Sequence, residues 1–413
     1  MRRLFKLPVV LTVAVLLTVA TTTIGGSLRG PEPGAPGSRR SDPASIRIDQ
    51  HLAARMDGVA EQLLGESDVA GFSVAVARGG TVVFADGYGF ADLRGGVPAS
   101  ARTVYGIGSI TKQLTAAAML KLQEDGKLAL DDDIHTYLTD YPTNGQRITI
   151  RQLLSHTSGV PELTVQHSYS GTSGKGTTRE AIMRKILSLP LDFPPGTEWR
   201  YSNSGYVLAG MIVERVTGLS YGAYLANEVL GPLGIQDVAL CPDDRSSVVY
   251  ARGYEQQTGS WTRAIRLGRP LSLITGSQVN MDIASSAGAG CSTVIGLVAW
   301  TEALTSGRVL SPTSFRLMTT PTTLAEGSTF PYGLGLFLRK FGTHRAIVHG
   351  GIIENGFVGM LADFPDENLT VAVLANTFLP DPEPLMVGIL RVVFNESHAT
   401  WDVPNLDPAS PRT

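Results

Sequence analysis

Ser109 and Lys112 pair a hydroxyl with an amine across three residues, in the stretch Gly108-Ser109-Ile110-Thr111-Lys112. The run that follows, Gln113-Leu114-Thr115-Ala116-Ala117-Ala118-Met119-Leu120, favours helix, and Ile110, Leu114, Ala118 and Leu122 recur at a spacing of four. On a helix, positions i and i+3 stand one above the other, so the hydroxyl and the amine share a face off the apolar stripe. Ser109 falls at the helix N-terminus, where free N–H groups and the dipole favour developing negative charge. A hydroxyl beside an amine at such a place is an activated nucleophile for attack on a carbonyl. The four residues alone fit a simpler reading equally well, since a Ser ahead of a helix is commonly just its cap.

Two further stretches hold candidate chemistry. Tyr201-Ser202-Asn203 lies on a Pro/Gly-rich loop (194–205) that turns directly into an apolar helix over 206–217, closed by Gly218. His349-Gly350-Gly351 lies among strand-like segments near the C-terminus. Other candidates carry blander readings. His156 reads as a structural histidine in a turn. Asp131-Asp132-Asp133, between Leu130 and Ile134, reads as capping and solvation. Gly174-Lys175-Gly176-Thr177 fails the phosphate-loop pattern, because Gly follows the Lys. No serine sits in a G-x-S-x-G elbow, and no HExxH or zinc-spaced His/Cys set is present.

Totals narrow the class. The chain has 413 residues, 43% hydrophobic and 17% charged, which suits one large or two medium globular domains. A net charge of −3 implies no broad basic surface for nucleic acid. A basic start and an apolar run make residues 1–25 a signal peptide or N-terminal anchor, so the remainder is expected to be secreted or at the cell surface. Residues 26–45, rich in Pro, Gly, Ser and Arg, read as a flexible linker. The folded domain is expected over 46–396, and 397–413 as a loose tail. In an exported protein Cys241 and Cys291 either form a disulfide or are separate small buried hydrophobes.

The elements that must position these residues follow the hydrophobic pattern. A helix is expected over 46–65, then a hairpin of strands 71–78 and 81–89 around Gly79-Gly80. The Ser109 helix should end at Gly126. A short helix covers 149–156, and the polar loop 164–177 is expected to overhang the site. Thr177-Thr178-Arg179-Glu180 is a capping box for a helix to Leu189, and another helix covers 221–229. Strands are expected at 332–339, 346–350, 356–363 and 369–375, with a last helix over 384–394. The fold class is α/β (α+β): one antiparallel sheet from both termini, flanked by helices, with a mostly helical insertion at about 131–280 and a cleft where they meet.

Taken together, Ser109-x-x-Lys112, Tyr201-Ser202-Asn203 and His349-Gly350-Gly351 resemble the motif set of class C β-lactamases and serine D-Ala-D-Ala carboxypeptidases, a family that includes esterases. The likeness extends to residues 148–161, 195–210, 231–234 and 287–293, and covers roughly 48–395. It implies a β-lactamase/transpeptidase-like fold and an acyl-enzyme at Ser109, with no metal or cofactor. Lys112 would take up or relay the Ser proton. Tyr201, its hydroxyl between Lys112 and His349, would be the general base. Asn203 would bind the substrate amide, with His349, Gly350 and Gly351 lining the cleft. The backbone N–H groups of Ser109 and Ile352 would form the oxyanion hole. The implied partner is a small-molecule or peptide substrate, with cell-wall-derived peptides among the candidates, and the implied activity is a D-Ala-D-Ala carboxypeptidase/β-lactamase-like peptidase first and an esterase second. A catalytically silent cell-wall binding protein is the reading from another class. Three departures bear on the substrate. Many relatives have a hydroxyl-bearing Thr where Gly350 stands, and His349 is largely neutral near pH 7. Glu354 would repel an anion if it faces the cleft. Gly296 stands where relatives often carry Asp, which implies an altered structural contact.

Overall fold

Strands from both ends of the chain pair in one antiparallel sheet. They are β1 (Ile46–Arg47), β2 (Gly71–Arg78), β3 (Thr81–Asp92), β4 (Phe337–Phe341), β5 (His344–Ile353), β6 (Phe357–Phe364) and β7 (Leu369–Ala375). Their order is β1-β3-β2-β7-β6-β5-β4, with Val97–Pro98 added to β3. The N-terminal hairpin meets the C-terminal strands where β2 pairs with β7, Ala75 opposite Ala372 and Val74 opposite Val373. The computed structural model describes residues 44–402 except 67–68, 144, 163–177, 243–249, 257–272, 276–280, 354–355 and 380–381. The expected N-terminal segment, the overhanging loop 164–177, Glu354 and most of the tail lie outside the described residues. Among the described residues no helix is long and apolar enough to cross a membrane.

Both faces of the central strands are buried because helices cover both. Helix α1 (Gln50–Glu66) and the last helix (Glu383–Phe394) pack Leu52, Met56, Ile389 and Leu390 against Phe72, Val74, Val76 and Val373. On the other face lies α2 (Thr111–Glu124), which carries Lys112. Here the sheet presents small residues, Ala75, Ala77 and Ala372, in the same core as Leu114, Ala118 and Leu122. The alternation follows from the two-residue period of a strand.

Helix α2 is more buried than an amphipathic stripe requires. Every residue from Thr111 to Leu120 is buried. Its polar side chains are buried with partners, as burial of polar groups demands. Thr111 Oγ1 donates to Gly108 O at 2.6 Å and accepts from Gly290 N at 2.9 Å. Thr115 Oγ1 bonds Tyr221 Oη and Ser286 O, each at 2.6 Å.

Boundaries differ from the sequence expectation for local reasons. The first helix begins at Gln50 because Ile46 and Arg47 pair with β3 and Asp49 accepts from Leu52 N at 2.9 Å. Ile48, expected on the apolar stripe, is therefore 67% exposed. Thr178 caps the next insertion helix by accepting from Ala181 N, and that helix runs Arg179–Leu187. The expected strand at 332 starts only at Phe337, since Leu334 N donates to Met318 O at 2.9 Å instead of to a neighbouring strand. The insertion also contains strands, among them Val238–Leu240. That strand pairs with Gly290–Ser292, which pairs in turn with Tyr105–Gly106, the lead-in to Ser109. A disulfide joins Cys241 to Cys291, with Cα atoms 4.9 Å apart and a sequence separation of 50. Closing a loop of that length contributes about 4 kcal/mol in the chain-entropy account. It also fixes the insertion to the strand that steers the nucleophile.

Candidate active site

Ser109 stands on a 3-10 turn, Gly108–Ile110, that runs into α2. The turn presses against β5. Gly108 has φ +52, and a Cβ there would lie 2.9 Å from the Ile352 amide nitrogen. A Cβ on Gly351 would lie 2.0 Å from Ile107 O. Only residues without side chains allow this approach. It brings the backbone of Ile352 beside the nucleophile turn, while Gly350 and Ile352 face outward.

Lys112 is completely buried, and its Nζ makes hydrogen bonds to Ser109 Oγ at 3.0 Å, Asn203 Oδ1 at 2.6 Å and Ala287 O at 2.8 Å. Two of these partners, an amide oxygen and a backbone carbonyl, can only accept. A neutral Lys112 therefore spends both hydrogens on them and turns its lone pair to Ser109. Burial drives its pKa down to about 7, against the opposing charge of Glu162. Nζ also lies 4.7 Å from the centre of the Tyr201 ring and 5.3 Å from that of Tyr206. Lys112 is thus bonded directly to Ser109.

Asn203 opens helix α3 (Asn203–Thr217), three residues earlier than the sequence suggests. Ser202, the middle residue of its motif, is the N-cap and accepts from Gly205 N at 3.3 Å. The Ala287 carbonyl comes from helix α4 (Met281–Gly288), which breaks at Ser285 with φ 32 and ψ −122. Such a conformation costs roughly 1–3 kcal/mol in a non-glycine residue. Just past the break, Ser286 O and Ala287 O serve the side chains of α2.

His156 is buried, with its ring 4.3 Å from that of Tyr201. Its Nδ1 accepts from Ser202 N at 3.0 Å, so the proton of the neutral ring is on Nε2 and is donated to Tyr332 Oη at 3.1 Å. His349 Nδ1 lies 2.6 Å from Gly350 O, which only accepts, so Nδ1 carries the hydrogen. His349 Nε2, 3.3 Å from Tyr332 Oη, then accepts the tyrosine proton. The result is one directional chain from the Tyr201-Ser202-Asn203 turn, through Tyr332, to β5. Both imidazoles are held neutral. Burial, aided by the charge of Lys112, pushes His156 well below its ordinary value and His349 down to about 3. His349 is 3% exposed, and its ring packs beside Tyr332 and Phe337 with its centre 6.3 Å from that of Tyr201. Tyr332→Phe leaves buried ring nitrogens without partners and is expected to lower unfolding free energy by about 1–3 kcal/mol. Denaturant unfolding checks this, and an unchanged midpoint would contradict the directional chain.

A family comparison matches residues 48–392 to the family described as Beta-lactamase. The chain belongs to the β-lactamase family. Among relatives of this β-lactamase-fold protein, Protein flp of Staphylococcus aureus (strain MRSA252) is 34% identical over 216 residues, 51% of this chain. The chain spans less than half of that relative's length, 43%. A penicillin-binding protein of Bacillus subtilis (strain 168) is 26% identical over 322 residues, 76% of this chain and 70% of its own. The solved D-amino acid amidase from Ochrobactrum anthropi SV3 superposes with a TM-score of 0.70 at 25% identity, covering 83% of this chain and 99% of its own. The fold is β-lactamase/transpeptidase-like, as its motifs imply.

Several residues of this constellation had no role in the sequence reading. Glu162, Tyr332 and the carbonyl of Ala287 belong to it by position alone. The sequence holds one hint for them: Glu162 and Ala287 lie in or next to stretches that resemble the family, outside the three motifs. Gly296, whose Cβ would fall 2.7 Å from Asp237 Cβ, is excluded from carrying a side chain by Asp237.

Proposed function

We propose that this chain is a serine acyl hydrolase that cleaves small amides or esters whose leaving group is uncharged. The contact that carries the reading is Lys112 Nζ at 3.0 Å from Ser109 Oγ, with its other two bonds made to carbonyl oxygens. Ser109 Oγ attacks the substrate carbonyl carbon and passes its proton to Lys112. The tetrahedral oxyanion is held by the N–H groups of Ser109 and Ile352. Lys112 returns the proton to the leaving nitrogen or oxygen as its bond to carbon breaks. Water then attacks the acyl-enzyme, with Lys112 or Tyr201 taking the proton, and Ser109 is released. Asn203 fixes Lys112 and stands near the substrate amide.

The leaving-group side follows from the third motif. Gly350 offers no hydroxyl and His349 is neutral and buried, so neither of these two residues supplies a cation or an O–H donor for a carboxylate. This favours an amidase or esterase over a carboxypeptidase. The amidase among its structural relatives is consistent with that preference. The Cys241–Cys291 disulfide supports work in an oxidising compartment outside the cytoplasm.

A matched substrate pair tests the reading: an acylated D-Ala-D-Ala peptide and the same peptide as its C-terminal methyl ester or amide. The uncharged forms are expected to be cleaved at least about tenfold faster in kcat/KM, the order of one lost charge-assisted hydrogen bond. Gly350→Thr has room, since a Cβ there would meet only Gly359 O at 3.7 Å, and is expected to narrow the gap. A wild-type preference for the free acid would overturn the substrate class.

A further inference from the structure

The segment after His156 is laced to the loop that bears Tyr201 and Asn203. Arg200 N donates to His156 O at 2.9 Å, and Ser202 Oγ donates to Val160 O at 3.1 Å. The last tie is made by Glu162. Its Oε2 accepts from Asn203 N and, at 3.3 Å, from Ser204 N, the first two amides of α3. The next amide, Gly205 N, is already capped by Ser202. Asn203 is thus held by its backbone to a carboxylate and by its side chain to the buried ammonium or amine of Lys112.

We propose that Glu162 is a positioning residue of the active site: it fixes Asn203 against Lys112 and is the counter-charge that governs the protonation of Lys112. The proposal rests on the acyl-hydrolase reading for its catalytic consequence, but not for the charge coupling itself. The groups that face Lys112 support this. Tyr201 and Tyr206 present ring faces. His156 and His349 are near enough to feel its charge, and both are neutral rings. Ser109, Asn203 and Ala287 contribute neutral dipoles. Glu162 is the carboxylate whose charge favours the ammonium against burial. A neutral residue would cap the helix as well. A negative charge at this place adds control over when Lys112 becomes a base.

Glu162→Gln keeps an oxygen for both amides and removes the charge. Lys112 should then lose its proton at lower pH, by about one to two units, the size expected of one charge roughly 6–12 Å away at an effective dielectric of about 20. Two readouts separate the claims. The first is the Cε resonance of Lys112 in protein labelled with [13C]lysine, assigned with Lys112→Arg and followed against pH. The second is the rate at which a fluorophosphonate labels Ser109 across the same range. Both midpoints are expected to move down together in Glu162→Gln. Superimposable Lys112 titrations in the two folded proteins would overturn the proposal. A shifted lysine titration with no labelling of either protein would uphold the charge coupling and refute the acyl-hydrolase reading.

Discussion

Ser109→Ala is expected to abolish turnover of small esters and amides, a loss of roughly a thousand-fold or more in kcat, with an unchanged melting temperature. The hydroxyl is the group that forms the new bond to the acyl carbon in the proposed mechanism. Lys112, Asn203 and the Ala287 carbonyl remain in the variant, so binding and fold should persist while chemistry stops. The half-buried side chain at 109 forms no structural contact besides the one to Lys112 among the described hydrogen bonds, which is why the fold should tolerate its removal. Hydrolysis of p-nitrophenyl acetate checks the rate. Substantial turnover by the variant would mean that the nucleophile lies elsewhere.

Lys112→Arg is expected to cost about a hundred- to ten-thousand-fold in kcat/KM above neutrality, the usual worth of a general base. Arginine keeps the charge and cannot give up its proton. In the wild type the same rate should rise with pH. The sign follows from burial. With a pKa lowered to about 7, Lys112 is an ammonium below neutrality and a free amine above it. Only the amine has a lone pair for Ser109. The acid limb of kcat/KM should therefore have its midpoint near neutrality, and raising the pH should not rescue the arginine variant. The two histidines add no limb in this range, because both are neutral well above and below it. A flat wild-type profile across neutrality would assign the base to another group. Partial activity of Lys112→Arg that tracks the wild-type profile would do the same.

Much of this site was legible in the order of side chains. Ser109 and Lys112 share a helix face because three residues make nearly a turn, and the structure puts them 3.0 Å apart. Tyr201-Ser202-Asn203 was placed on a loop before a helix, and the Ser of that motif proves to be the cap. Strands β2 and β7 follow their apolar and β-branched runs to the residue, whereas β3 runs three residues past the expected Gly89 to Asp92. What escaped was tertiary or backbone in origin. No local pattern marks Ala287 O as a partner of Lys112, because every residue has a carbonyl. Tyr332 looked like the start of a strand, and its true place between two buried histidines depends on chain segments far apart in sequence. No local pattern singles out Glu162, which follows Pro161 in the chain. The sequence already reads His349 as largely neutral near pH 7, and its burial beside Tyr332 and Tyr201 holds it neutral.

Peptide mapping by mass spectrometry after fluorophosphonate treatment addresses the nucleophile most directly, because the phosphorus–oxygen bond it forms survives digestion. The expected result is a single adduct on the peptide that contains Ser109, absent when Lys112 is replaced by Arg. An adduct on a different residue, or none from protein that hydrolyses p-nitrophenyl acetate, would contradict the assignment of Ser109 and Lys112 as nucleophile and base.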